Sequence, residues 1–390
     1  MTRQQQSPGV PQLLRLLNDR AALNLLFTEG PKTRAQLADA TSLSKVTASQ
    51  MVERLESRGL IEAVGTRAGN RGPNATVYAV VGGYAHVAGI EVGAESVSAA
   101  CCDLVGNVVG RAEIETNDEE PGVAIRRAVA AVAHDAKIEQ SQLWRVMLAT
   151  PGLIDPVSND VGFAWDLPTW HRGVRDALQN ELQRPVVIEN DVNLAAVAEH
   201  RDGAAKGTDD VVYVWFGRGL GLGVILGGKL HRGVTGGAGE IGYLTVPGSP
   251  LPDDFVKRRA KGSFQRFVGA DAVVELAEEY GISAASASEA VGLAHNSGDK
   301  GERFFEVLAT RMATGVASIC AVLDPSLVVV GGEVGYAGGQ TLASLIGAEL
   351  PRIVPMSPRV VAGALPLHPV LQGAIRMSLD VVREEIFATE

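Results

Sequence analysis

Cross-linking chemistry is scarce in this chain of 390 residues. Its three cysteines are Cys101, Cys102 and Cys320; two are neighbours and none forms a C-x-x-C pair, which excludes a disulfide framework and a thiolate zinc site of the usual spacing. Small buried thiols in a reducing cytoplasm are the expectation. No run of eighteen or more apolar residues occurs, so no membrane span is expected. The segment Met1 to Pro8 is polar and lacks the basic-then-apolar layout of a signal peptide. A Walker A lysine and a dinucleotide fingerprint inside a βαβ unit are also missing, which argues against both of those nucleotide-binding classes.

Positive charge is in deficit too, with a net charge of -10, but the deficit is uneven. Residues 1–80 hold ten Lys/Arg against six Asp/Glu, whereas the remainder holds 25 basic and 39 acidic residues. A mildly basic head on an acidic body suits a DNA reader, because phosphate contacts need local rather than global positive charge. The length implies two or three domains, and a hydrophobic content of 46% is enough to bury a sizeable core. Glycine is plentiful at 45 residues, concentrated in the second half where tight turns and close backbone approach need it.

The head reads as helices. Leucines recur from Leu13 to Leu26 in a segment that Glu29-Gly30-Pro31 ends. Thr33-Arg34-Ala35-Gln36 has the form of a capping box opening a short helix to about Ala40. A turn through Thr41-Ser42-Leu43 leads to a third helix, from about Ser44 to Arg58, with Val46, Met51, Val52 and Leu55 expected to face inward. Two short helices around a tight turn, followed by a strand, make a helix-turn-helix. Ser44, Lys45, Thr47, Ser49 and Gln50 then offer hydrogen-bonding side chains to phosphates and base edges. Strands at residues 60–64 and 75–80 form a wing whose tip carries Arg67 and Arg71, suited to a minor groove or to phosphate. An ordinary solvated three-helix unit, or one that binds a protein, would explain any single feature; the joint pattern points to double-stranded DNA.

The body alternates strands and helices. Residues 87–115 read as three antiparallel strands, followed by a helix from about Val123 to Ala136 and a buried strand, Arg145 to Thr150, ending at Pro151-Gly152. Val186 to Asp191 is a strand that ends in polar residues and enters a helix, the place where α/β folds put ligand chemistry. Asp191 could orient and activate a hydroxyl there, or cap a helix beginning at Val192. A strand from Asp210 to Phe216 runs into the glycine-rich turn Gly217 to Gly223, and a further strand, Val224 to Leu226, ends in a Gly227-Gly228 hairpin. Leu327 to Val330 is an apolar strand opening into Gly331-Gly332. Such turns let backbone amides approach a phosphate or sugar, and tight hairpins need them equally.

The head together with Pro151-Gly152, Glu189-Asn190-Asp191-Val192-Asn193, the Gly217 to Gly228 run, Gly239-Glu240-Ile241-Gly242 and Asp324-Pro325 before Gly331-Gly332 closely resembles the ROK family of sugar kinases and sugar-responsive repressors, over nearly the whole length. The resemblance implies an actin-like, two-lobed α/β kinase fold behind a winged helix-turn-helix, sugar in the cleft, and a homodimer or homotetramer. By resemblance Asp191 matches the kinases' catalytic base, and Asn190 and Glu240 match sugar-contacting positions. Several positions depart from the kinases. Glu91-Val92-Gly93-Ala94-Glu95 stands in place of Asp-x-Gly-Gly-Thr, with Glu95 placed to repel ATP, and Arg218 replaces a small hydroxyl residue in the second phosphate turn. Tyr243 replaces the family's zinc-binding histidine, Val256 to Ser263 lacks its cysteines, and Gln265 replaces a glutamate. No metal and no cofactor is therefore expected.

The expected organisation is a winged helix-turn-helix at residues 1–82, one lobe at 83–200 and a second at 201–390, with a C-terminal helix of about 370–388 packing back on the first lobe. The expected function is a DNA-binding transcriptional regulator of the repressor type, sensing a sugar-like effector through Asn190, Asp191, Glu240, Tyr243 and Gln265 without phosphorylating it. The alternatives are an ATP-dependent sugar kinase with Asp191 as base, and a regulator whose body only dimerises.

Overall fold

The computed structural model describes residues 10–68, 74–93, 95–116, 121–163, 173–248 and 262–388. The head contains α1 (Val10–Glu29), β1 (Lys32–Thr33), α2 (Arg34–Ala40), α3 (Lys45–Ser57), β2 (Ile61–Arg67) and β3 (Ala75–Val80). Local chemistry sets its boundaries. Gln36 N donates to Thr33 Oγ1 at 3.3 Å and Thr33 N donates to Gln36 Oε1 at 2.9 Å, the reciprocal box that starts α2. Ser44 stands just outside α3 as its cap, accepting from Thr47 N at 3.2 Å. Leu37, Met51, Val52 and Leu55 fill the head's interior, and a paired contact from Arg54 to buried Asp19 ties α3 to α1. Ala48 is buried on α3, whereas Val46, expected to face inward, is 68% exposed. The helical repeat explains the correction: Val46 lies nine positions from Leu55, roughly half a rotation away around the helix axis.

The first lobe holds β4 (His86–Val92), β5 (Ser96–Asp103), β6 (Val108–Glu115), α4 (Pro121–Asp135), β7 (Leu143–Thr150), β8 (Leu153–Asp155), β9 (Asp160–Phe163), α5 (Val174–Leu182), β10 (Val186–Asn190) and α6 (Asp191–Asp202). The second holds β11 (Val211–Phe216), β12 (Leu220–Leu226), β13 (Lys229–Leu230), α7 (Ser263–Val268), α8 (Ala270–Glu279), α9 (Ala287–Ala294), α10 (Asp299–Leu323), β14 (Leu327–Gly331), α11 (Gly332–Ile353), β15 (Arg359–Ala362) and finally α12 (Pro369–Ala388). The two main sheets share one plan. In order β10-β7-β4-β5-β6, β4 to β6 form an antiparallel meander and β7 and β10 add in parallel. In order β13-β12-β11-β14-β15, β11 to β13 form the meander and β14 and β15 add in parallel. This duplicated α/β architecture is the two-lobed, kinase-like fold.

Strand β12 begins at Leu220, so Gly221 and Gly223 lie inside a strand that pairs with Trp215 and Tyr213, not in a turn before it. Packing is the reason. A Cβ on Gly221 would sit 2.6 Å from Val192 Cγ2, and one on Gly223 would overlap Ala196 Cβ, because α6 lies directly on this strand. Helix α10 is long and apolar enough to cross a membrane. Its Phe304, Leu308, Met312 and Val316 are nonetheless fully buried in the second lobe's core, so it is that lobe's central packing helix.

Helix α12 returns to the first lobe and continues past it. It packs on α6, β4 and β7. Its Ile375, Leu379, Val382 and Ile386 share one core with Leu23 and Leu26 of α1, Met51, Val52 and Leu55 of α3, Tyr78 of β3 and Val87 of β4. The head is therefore built onto the body by a continuous apolar core. Where α12 crosses α6, a Cβ on Gly373 would overlap the Leu194 carbonyl oxygen. Gly373→Ala is accordingly expected to cost about 1–3 kcal/mol through overpacking, read as a lowered melting temperature; an unchanged melt would show that this crossing is not tightly set.

Candidate functional site

The parallel strands of both lobes end at one cleft of about 520 Å³, within the range of small-molecule sites. Pro151 and Gly152 follow β7, Asn190 and Asp191 follow β10, and Glu91 and Gly93 end β4. From the second lobe come Trp215, Arg218 to Leu222, Glu240, Tyr243, Gln265 and Glu333, and Val370 at the start of α12 completes the wall.

Asn190, not Asp191, caps α6: Asn193 N donates to Asn190 Oδ1 at 3.0 Å, while Asn190 Nδ2 donates to Gly152 O at 3.1 Å. Asn190 thus fixes the β7 turn against the helix start. Asp191 becomes the first residue of α6, its Oδ1 accepting from Val192 N at 2.8 Å, with its carboxylate in the cleft wall. The resulting position at a helix N-terminus favours negative charge there. Gln265 also lines the cleft, yet both ends of its amide are engaged: Oε1 accepts from Leu220 N and Nε2 donates to Arg218 O, each at 2.9 Å. It braces the glycine loop between β11 and β12.

Two contributors, Arg232 and Glu333, had no sequence signal. Buried Glu189 accepts from Arg232 Nε at 2.7 Å and from Asn193 Nδ2 at 3.0 Å. Arg232 lies beyond β13, so the pair ties the loop leading to Glu240 onto the strand carrying Asn190 and Asp191. Arg232 keeps part of its side chain in water, which lowers the pair's worth below the ~3–5 kcal/mol cost of breaking a fully buried one. The second is Glu333 at the start of α11, whose carboxylate occupies the space a side chain on Gly217 would need.

Charge in the cleft is lopsided. Among the described residues its wall holds four carboxylates, Glu91, Asp191, Glu240 and Glu333, against one guanidinium, Arg218. Burial, with Asp191 and Glu333 nearby, pushes Glu91 up to about 7. Burial and then Asp191 do the same to Glu240, also to about 7. The Tyr243 hydroxyl is pushed up to about 12 by burial and by Glu240, which keeps it a protonated hydrogen-bonding group. Glu95, expected to repel phosphate, lies exposed on the β4–β5 turn; Glu91 and Glu333 are the carboxylates beside Gly93 and Gly217.

The family's zinc does not fit the residues present. Tyr243 offers no imidazole, and Cys101, Cys102 and Cys320 are buried in the lobe and head cores. No group of three His, Cys, Asp or Glu among the described residues is arranged to hold a metal, and residues 256–261 of the expected cysteine segment lie outside those residues.

The second candidate surface is on the head. Ser44, Lys45, Val46 and Gln50 are exposed on the outer side of α3, with Thr47 and Ser49 half-buried. Ser44 and Thr47 hydroxyls also contact each other at 2.9 Å, so the cap shares these groups with any ligand. Arg67 is exposed at the end of β2, opposite Ala75, rather than at the wing's tip; Arg71 lies outside the described residues.

Residues 87–362 match the model of the ROK family, and residues 15–62 match a winged helix-turn-helix DNA-binding family. The chain belongs to the ROK family. This ROK chain is similar to the xylose repressor of Bacillus subtilis, 29% identical over 235 residues, and it spans about 60% of that repressor's length while the match covers 59% of its own. It is also similar to a glucokinase of Halalkalibacterium halodurans, 28% identical, covering 65% of this chain and 82% of the kinase. The solved structure of a ROK family transcriptional regulator, a homolog of the Escherichia coli MLC protein, shares the fold over 96% of this chain and 99% of its own at a TM-score of 0.73, with 16% identity. The relatives thus include both repressors and kinases.

The raised carboxyls carry a signed consequence. The folded chain holds protons on Glu91 and Glu240 up to about pH 7, whereas ordinary glutamates release them near 4.5. The folded state therefore binds more protons over that window, and stability falls as pH rises through it. The melting temperature is expected to decline from about pH 5 to about pH 8, and Glu91→Gln or Glu240→Gln should flatten its part of the decline. An equally steep decline in both variants would place the titration elsewhere.

Proposed function

We propose that this ROK protein is a DNA-binding transcriptional repressor whose kinase-like body binds a sugar or sugar derivative as effector and does not phosphorylate it. The observation that carries the reading is the single helix joining cleft to head. Helix α12 starts with Val370 in the cleft wall and ends with Ile386 inside the head. Closure of the lobes on a ligand that prefers one state would then move the head, which is what regulation requires beyond binding itself. The kinship with a xylose repressor supports the same reading.

In this reading Asp191, Glu240, Tyr243 and Asn190 meet sugar hydroxyls, and Gln265 acts through the loop it braces. Carboxyls from both lobes suit the hydroxyls of a neutral polyol, while Ala94 and Glu95, in place of the second glycine and the threonine of the kinases' phosphate turn, disfavour ATP. Lys45, Ser49 and Gln50 enter the major groove with Ser44 and Thr47, while Arg67 and Arg71 grip the backbone or minor groove beside it. A homodimer or homotetramer would pair two heads on a near-palindromic site.

A gel shift with DNA from upstream of the chain's own reading frame tests this. A salt-sensitive, sequence-selective shift that a sugar weakens is expected, and its absence would sink the proposal. Arg67→Ala should weaken binding to every sequence and lower the salt slope by about 1. The kinase reading is tested by ADP release across hexoses and amino sugars. Turnover that Asp191→Asn abolishes would replace the proposal.

A further inference from the structure

A lone exposed valine is ordinary on a protein surface; the position of Val46 is not. It is 68% exposed on the first turn of α3. The buried residues Ala48, Met51, Val52 and Leu55 define the opposite side of that helix. With about 100° per residue, Val46, Ser49, Gln50 and Glu53 form one outward stripe with Val46 near its centre. This is the end of a recognition helix that reaches base edges in a helix-turn-helix. Lys45, Ser49 and Gln50 beside it can meet donors and acceptors, whereas an isopropyl group can meet neither. The major-groove feature that matches it is the 5-methyl group of thymine.

We infer that Val46 is a specificity-determining residue that packs against a thymine methyl in each half-site. The inference rests on the DNA-binding reading above. A β-branched side chain on a helix has little rotamer freedom, so its methyls are held in place before DNA arrives. Mismatch at that base pair is then penalised by lost apolar contact without any hydrogen bond being broken.

The test uses the full chain and an operator recovered from a random duplex library. Each thymine is replaced singly by deoxyuridine, which deletes only the methyl. One thymine per half-site should cost the native chain about three- to fivefold in affinity, the worth of one buried methyl. In Val46→Ala that same replacement should cost nothing, while replacements elsewhere keep their effects. Val46→Ser serves as a second variant, and because the site is solvent-facing both should melt like the native chain. The inference is overturned if no thymine-to-uracil change matters, or if the sensitive one is equally costly in both variants. Recovery of no preferred sequence at all would instead defeat the DNA-binding reading.

Discussion

Helix α12 is gripped on three sides, and each grip limits the others. Against β4 it packs closely enough that a Cβ on Gly89 would lie 3.1 Å from Ala374 Cβ; against α6 it leaves no room for a side chain at Gly373. Its far half supplies Ile375, Leu379, Val382 and Ile386 to a core shared with α1 and α3. Arg58 Nη2 donates to the Ile386 carbonyl at 3.0 Å, Arg20 pairs with Glu384, and Arg383 stacks over Phe27 with 4.2 Å to the ring centre while donating to Leu104 O. A helix so held moves as a rod, because close-packed interiors shift between discrete arrangements rather than deform smoothly. Where α6 goes, α12 must follow, and α6 begins at Asp191 in the cleft.

The cleft's charge follows from the same geometry. Asp191 and Glu240 lie close enough across the lobes to act on each other's charge, and the Glu189–Arg232 pair ties their supporting segments together. Burial first, and then the neighbouring Asp191, with Glu333 beside Glu91, pushes Glu91 and Glu240 up to about 7. A protonated carboxyl donates as well as accepts, so a ring of such groups can match hydroxyls that do both. Among the described residues such groups outnumber the single guanidinium of Arg218, a balance that fits the uncharged polyol proposed above.

How much was legible in the sequence depended on the range of the interaction that fixed each feature. Capping at Thr33 and the strand-to-helix step at Glu189-Asn190-Asp191 are decided within four residues, and both were readable, although the cap of α6 fell to Asn190 rather than its neighbour. Val46 was misplaced although its spacing was readable: nine positions from Leu55 put it roughly half a rotation away, on the face opposite Met51, Val52 and Leu55. The glycines at 217–223 read as a loop because their pairing partner, Tyr213 to Phe216, and the helix pressing on them are set by tertiary contact. Glu333 and Arg232 reach the site from segments far along the chain with no motif to mark them. Gln265 was placed at the site but not in its role, since its two backbone contacts exist only once β11 and β12 have turned back.

The route from cleft to head also limits what kind of signal could travel along it. Because the head and first lobe share a core, the head cannot swing freely on a linker; reorienting it means repacking Leu379, Val382 and Ile386 against α1 and α3. Close-packed cores exchange between discrete arrangements rather than tilt by degrees, so an effector of the kind proposed would act by the difference in its affinity for the two. Differential affinity is available here in a specific form. Asp191 belongs to the first lobe and Glu240 to the second, so a ligand that bonded to both would fit at one lobe separation. In the proposed reading a sugar bridging them would favour that separation, and α12 would carry the choice to α3.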